Sequence, residues 1–162
     1  MMDKEILHLA GRVGDILNES KQTIGIAESS SGGLISAHLL AIPGASKYFI
    51  GGSVIYTRIA QRSLLGINDV QMEGLRSSTE IYASLNAKTI RESLGTTWGL
   101  SETGATGPTG NRYGDSAGHS CIAVSGPVSH ATTVETGIGE REDNMITFTK
   151  TALVFLLDCL EG

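Results

Sequence analysis

Apolar residues recur at helical spacing in several stretches of the chain. Between residues 3 and 20 they fall three and four positions apart, which predicts an amphipathic helix with Asp3 as its N-cap. The same spacing predicts four more helices, at 32–41, 59–64, 78–94 and 143–160. Ser77 and Glu80 have capping-box spacing and are expected to begin the helix at 78–94.

Short apolar runs lie between these periodic segments. They predict five strands, at 23–28, 50–57, 97–102, 120–125 and 128–135. The run at 120–125 is apolar on both faces, as in a central strand, and the turn at 126–127 predicts a hairpin with the last strand. We therefore predict an α/β fold, with residues 1–162 as a single domain whose mixed sheet carries helices on both faces.

Composition narrows the class of protein. The chain has 162 residues, 40% of them hydrophobic and 18% charged, and no apolar run approaches the ~20 residues of a membrane-spanning helix. A net charge of −5 without clustered basic residues argues against a nucleic-acid surface. The start of the chain lacks a secretory signal pattern, so we expect a soluble, cytoplasmic protein with no membrane partner. A homo-oligomer is left open.

The two cysteines, Cys121 and Cys159, stand in apolar contexts and are predicted to be buried free thiols. Neither His119 nor His130 forms a metal-ligand spacing with a cysteine or a carboxylate, so no metal is expected.

Three segments contain the candidate reactive or binding groups, at 28–33, 56–61 and 102–110. If the first three strands are parallel, these segments meet at one edge of the sheet. The first joins a strand to a helix, where unpaired backbone N–H groups can bind an anion or stabilise an oxyanion beside a serine nucleophile. Ser29, at the strand end, is the best-placed nucleophile. The alternative is an ordinary helix cap and tight turn.

Four motifs carry a resemblance to a known family. Residues 27–33, AESSSGG, resemble the A-E-S-C-T-G-G stretch of the C-terminal domain of the competence/damage-inducible protein CinA. Residues 54–57 with 65–67, and residues 103–110, are similar to two further motifs of that family in the same order, and 139–141 resembles its G-D/E-R. Single-domain members of the family are nicotinamide mononucleotide deamidases. The resemblance implies hydrolysis of a nucleotide carboxamide to release ammonia, with no metal and no organic cofactor.

The resemblance also implies roles for individual residues. The family serine falls on Ser29 and its tyrosine on Tyr56, and both are expected to be catalytic. From their own hydroxyl, N–H and guanidinium donors, nine residues of the motif loops are expected to bind substrate: Ser30, Ser31, Gly32, Gly33, Thr103, Gly104, Thr106, Gly107 and Arg141. The alternatives left open are a packed tyrosine for Tyr56, an ordinary turn for 103–110 and a solvated charge for Arg141.

The chain departs from the family pattern where the family carries a lysine, since Gln61 stands there and an amide cannot act as a base. Other departures are Arg58 for an asparagine, Met145 for an arginine, and the segment 111–118. Glu28 beside Ser29, or a residue of 111–118, is then a candidate substitute base, although Glu28 could equally interact with the following helix N-terminus. A homologue that binds a nucleotide without hydrolysing it is the alternative function.

Overall fold

Five strands form one mixed sheet that is covered by helices on both faces. The computed structural model describes all 162 residues. In chain order the elements are α1 (Lys4–Ser20), β1 (Ile24–Glu28), α2 (Leu34–Leu40), a 3-10 turn (Ala45–Lys47), β2 (Phe49–Val54), α3 (Arg58–Leu65), α4 (Glu80–Leu94), β3 (Trp98–Ala105), β4 (His119–Ser125), β5 (His130–Glu135) and α5 (Arg141–Glu161). The predicted α/β fold with a mixed sheet is confirmed.

The strand order is β2-β1-β3-β4-β5. Strand β1 lies between β2 and β3 and is parallel to both, with Ile26 opposite Gly52 on one side and Leu100 on the other. The hairpin of β4 and β5 continues the sheet in antiparallel register. The carboxyl ends of β1, β2 and β3 therefore lie at one edge of the sheet, which is where ligands bind in open α/β sheets.

Alternation along β1 directs its side chains to two separate cores. Ile24 and Ile26 are fully buried in the larger core, which α1, α2 and α5 complete, whereas Ala27 packs with Leu65 of α3 and Ile90 of α4 on the opposite face. Each fully buried Leu or Ile stabilises the fold by about 1.5–3 kcal/mol. This packing holds the strand ends, and the loops that follow them, in fixed positions.

Two boundaries differ from the sequence prediction in ways that matter for the site. Strand β3 runs on to Ala105, because residues 103–105 pair with residues 119–121 of β4. The cap of α4 is Thr79, whose Oγ1 accepts from the backbone N–H of Tyr82 at 3.3 Å. The predicted capping box is wrong, since the Glu80 carboxylate instead accepts a hydrogen bond from Thr133 of β5 at 2.7 Å.

Both cysteines are buried and free, as the sequence predicts. None of the helices combines the length and the apolar composition that crossing a membrane requires.

Candidate active site

A cleft of about 650 Å³ opens at the carboxyl ends of the three parallel strands. Ser29 reaches it from the end of β1, Tyr56 from the segment after β2, and Thr103 and Gly104 from the last residues of β3. The three segments that the sequence expects to converge therefore do converge on one cleft.

Ser29 presents its hydroxyl to this cleft. The residue is 8% exposed, and its Oγ has no hydrogen-bond partner in the protein, while its backbone N–H donates to the Glu102 carboxylate at 3.2 Å. The hydrogen bond to Glu102 thus fixes the backbone of Ser29, and the Ser29 hydroxyl remains available to a ligand. No side chain lies within hydrogen-bonding distance of this hydroxyl to act as its base.

Behind the turn, the Glu102 side chain is fully buried on β3. Its carboxylate accepts from the N–H groups of Ser29 and Ser31, from the hydroxyl of Ser30, and from the hydroxyl of Ser120 at 3.2 Å. Burial raises the pKa of Glu102, while the hydrogen bonds from Ser30 and Ser31 act in the opposite direction. The sequence prediction did not select Glu102 as a site residue. Its position could have indicated a role, because it is a charged residue in a strand of otherwise small and apolar residues.

Glu28 occupies the neighbouring strand end and is also fully buried. Its carboxylate accepts from the Ser31 hydroxyl at 2.6 Å and from the N–H groups of Gly33, Ile35 and Ser36 at 3.0–3.1 Å. These donors belong to the N-terminal end of α2, so the contacts are those of the helix-terminus alternative. A role for Glu28 as a base stays a prediction.

We call residues 29–33 the serine turn. The sequence predicts that its N–H groups are unpaired, and this is wrong, because the protein's own acceptors bind four of the five. Ser29 and Ser31 donate to Glu102, Gly33 donates to Glu28, and the N–H of Gly32 donates to the Ser29 carbonyl at 3.0 Å. Only the N–H of Ser30 is left without a protein acceptor. Substrate contacts from Ser30, Ser31, Gly32 and Gly33 stay predictions.

Tyr56 and Arg141 meet at the rim of the cleft. Tyr56 is 59% exposed, and its hydroxyl accepts from Nη2 of Arg141 at 3.1 Å. Nη1 of Arg141 donates to the carbonyl of Gly107 at 2.8 Å. This arginine therefore ties the start of α5 to the segment after β3 and positions the tyrosine hydroxyl.

The remaining predicted binding residues divide into two groups. Thr103 and Gly104 line the cleft. Thr106 and Gly107 do not, since the carbonyl of Thr106 accepts from Asn144 at 2.9 Å and that of Gly107 from Arg141. Their expected contacts with substrate stay predictions.

The far wall of the cleft comes from residues to which the sequence prediction gave no binding role, although it named the segment 111–118 as a possible source of a base. They are mainly Arg58, Met72, Arg76, Tyr82, Asn111, Arg112 and Tyr113. We call residues 111–118 the arginine loop. The hydrogen bonds from Ser77 and Arg112 lower the pKa of Tyr113 in this wall.

Comparison with known proteins places the chain in a family. The family model for the CinA C-terminal domain matches residues 6–160. The chain belongs to the CinA C-terminal domain family. A CinA-like protein of Nostoc sp. is 39% identical over 119 residues, which cover 74% of this chain and 28% of that protein. A CinA-like protein of Desulforapulum autotrophicum is 34% identical over 155 residues, which cover 94% of this chain and 36% of that protein.

The chain thus spans about a third of the length of these CinA-like relatives.

Solved structures share its fold. The competence/damage inducible protein CihA from Agrobacterium tumefaciens superposes with a TM-score of 0.91 at 24% identity, covering 100% of this chain and 99% of its own. A CinA superfamily protein from Escherichia coli gives a TM-score of 0.89 at 23% identity, covering 98% and 93%.

Gln61, at the position of the CinA-family lysine, is fully buried in α3. Its Nε2 donates to Oδ1 of Asn86 in α4 at 2.7 Å and approaches Sδ of Met72 at 3.5 Å. The side chain does not line the cleft. The position therefore supplies no base to Ser29 and links two helices instead.

Met145, at the position of a CinA-family arginine, packs against the serine turn. A Cβ atom on Gly32 would lie 2.7 Å from Cε of this methionine, and Gly32 has a φ of +69°. The positive φ favours glycine at this position, whereas the methionine methyl is the end of a flexible side chain and can move away from a Cβ atom. An apolar methyl group thus covers the turn where the family pattern has a cation.

Proposed function

We propose that this CinA-family chain is an amidohydrolase that acts on nicotinamide mononucleotide or a closely similar nucleotide carboxamide. The observation that carries the proposal is the hydroxyl of Ser29, which faces the cleft without any protein partner while its backbone is hydrogen-bonded to Glu102. A serine nucleophile needs an oxygen that the substrate can reach, together with a group that accepts its proton.

In the proposed reaction, Oγ of Ser29 bonds to the carboxamide carbon and the C–N bond breaks. The proton lost from Oγ ends on the leaving nitrogen, which departs as ammonia, and water then hydrolyses the ester to the acid. The N–H of Ser30 is the remaining donor for the oxyanion, in the position next to the nucleophile that acyl-transfer sites use. The Tyr56 hydroxyl, positioned by Arg141, is the proposed proton-transfer group.

Thr103 and Gly104 supply hydroxyl and backbone groups on the same cleft, and we assign them to nucleotide binding. No metal or organic cofactor takes part in the proposed reaction.

A second candidate function is nucleotide binding without hydrolysis. It is favoured by Gln61, which is buried against Asn86, and by the absence of a base within hydrogen-bonding distance of the Ser29 hydroxyl. In this case the fold and the cleft are retained and the reaction is lost.

The deciding experiment measures ammonia released from nicotinamide mononucleotide by three proteins: the unaltered chain, Ser29→Ala and Ser63→Ala. Ser63 is an exposed serine on α3 and serves as the matched control. We expect turnover by the unaltered chain and the control, and a loss of about 10³-fold or more in Ser29→Ala.

The outcomes separate the two functions. Equal turnover by the unaltered chain and Ser29→Ala contradicts the proposed mechanism. Binding heat with nicotinamide mononucleotide in the calorimeter without ammonia supports the second function, and the absence of both contradicts both functions.

A further inference from the structure

The arginine loop is a pre-formed part of the cleft wall. Oδ1 of Asn111 accepts from the N–H groups of Tyr113 and Asp115 at 3.0 and 3.1 Å, so the loop folds onto its own first residue. The Asp115 carboxylate accepts from Nδ2 of Asn111 at 2.8 Å and from both Nη atoms of Arg76 at 2.7 and 3.2 Å. The hydrogen bonds fix the loop backbone before any ligand arrives.

Charge is distributed unevenly among the three arginines that line the cleft. Arg58 is paired with Asp69 at 3.0 Å, and Arg76 is paired with Asp115. Arg112 has no carboxylate partner. In a chain with a net charge of −5, it is the one cleft-lining arginine that makes no ion pair, while Arg58 shares its carboxylate partner Asp69 with Arg62.

Tyr113 positions the free guanidinium. The Cζ atom of Arg112 lies 5.0 Å from the centroid of the Tyr113 ring, and its Nη2 donates to the Tyr113 hydroxyl at 2.8 Å. Arg76 lies against the same ring at 4.9 Å. A guanidinium has five N–H donors, so one used donor leaves four for a ligand.

We propose that the arginine loop is the anion-recognition element of the cleft and that Arg112 binds the phosphate monoester of the ligand. This assignment rests on the proposed function in one respect, namely that the ligand is a nucleotide. A planar guanidinium matches two phosphate oxygens at once, and a phosphate gains more from an unpaired arginine than from one already bound to aspartate. The loop is one of the places where this chain departs from the motifs of the family it resembles.

The test uses titration calorimetry with ribose 5-phosphate and with ribose. Ribose 5-phosphate has no carboxamide, so an amidase cannot turn it over, and the result is independent of hydrolysis. We expect the unaltered chain to bind ribose 5-phosphate more tightly than ribose. Arg112→Gln weakens the binding of ribose 5-phosphate by about tenfold or more and leaves that of ribose unchanged.

The matched control is Arg12→Gln, since Arg12 is an exposed arginine on α1 that is paired with Glu161 and does not line the cleft. It retains the affinity of the unaltered chain. Arg112→Lys keeps the charge without the planar fork and is expected to fall between the two.

Equal affinities of Arg112→Gln and the unaltered chain for ribose 5-phosphate overturn the proposal, as does an unaltered chain that does not prefer ribose 5-phosphate to ribose. If the phosphate preference depends on Arg112 but nicotinamide mononucleotide releases no ammonia, the proposed function fails and the anion site stands.

Discussion

The serine turn and the arginine loop line the same cleft but use their polar groups in opposite ways. In the serine turn, two buried carboxylates bind the hydroxyls of Ser30 and Ser31 and most of the N–H groups, so that one hydroxyl faces the ligand space. In the arginine loop, Asn111 and Asp115 bind the backbone and Arg76, and the charged side chain of Arg112 faces the cleft without a carboxylate partner.

This difference shows that the hydroxyl content of a loop does not by itself indicate that the loop binds a ligand. Carboxylates buried without solvent need hydrogen-bond donors, and the serine turn supplies them to Glu28 and Glu102. We therefore expect the contacts of Glu28 and Glu102 with the serine turn to contribute mainly to stability, and Arg112 to contribute mainly to ligand binding. Three substitutions test this division of roles between the two segments.

The largest effect is expected for Glu102→Ala. The substitution leaves four buried donors without their acceptor, two backbone N–H groups of the serine turn and two serine hydroxyls. Unsatisfied buried donors cost about 1–3 kcal/mol each, and loss of the desolvated charge offsets part of that. We expect the free energy of unfolding to fall by about 3–5 kcal/mol in urea titrations at neutral pH.

The control for this measurement is Glu142→Ala, because Glu142 is an exposed carboxylate in the first turn of α5 with no hydrogen bond or ion pair to another residue. Its effect should stay within about 0.5 kcal/mol. If both variants unfold at the same urea concentration, the serine turn does not depend on Glu102.

The sequence was sufficient to predict the fold and the location of the cleft. Helical and strand spacing predicted every main element, and the order of strands and helices predicted a mixed sheet with three candidate loops at one edge. The family motifs located Ser29 at the end of β1, where its hydroxyl is now seen to face the cleft.

What the sequence did not predict depends on contacts between residues far apart in the chain. Glu102 binds the serine turn 71 to 73 residues away, and Arg76 pairs with Asp115 39 residues away. Periodicity and local motifs carry no information on such pairs. For the same reason the sequence predicted free N–H groups in the serine turn and overlooked Arg112, whose lack of a carboxylate partner is visible only in three dimensions.

A smaller, pH-dependent effect is expected at the base of the arginine loop. His119 faces Glu135 at Nδ1, and its Nε2 lies 2.9 Å from the Ser78 carbonyl and 3.8 Å from Asp115. Burial lowers the pKa of His119, but the hydrogen bonds to Glu135 and Ser78 and the charge of Asp115 outweigh it, so the pKa is raised overall.

The protonated ring donates hydrogen bonds through both nitrogens, and these bonds stabilise the folded protein. The stabilisation is fully present below the pKa of the unfolded chain, near 6.5, and is lost as the pH rises through the pKa of His119 in the folded protein. Urea titrations at pH 6 and pH 8 should therefore show a larger loss of stability in the unaltered chain than in His119→Gln. Equal losses would show that folding does not raise the pKa of His119.

The smallest effect on stability is expected for Arg112→Gln. Arg112 is exposed, its one hydrogen bond is to the hydroxyl of Tyr113, and no carboxylate loses a partner when it is replaced. Exposed substitutions of this kind change the free energy of unfolding by less than about 0.5 kcal/mol. Urea titration of Arg112→Gln beside the unaltered chain checks this value.

A loss comparable to that of Glu102→Ala would mean that the guanidinium holds the loop together, and the contrast between the two segments would then disappear. A midpoint that stays unchanged, together with a loss of ribose 5-phosphate binding, would separate ligand recognition from folding, because the weaker binding could not then be attributed to a destabilised fold.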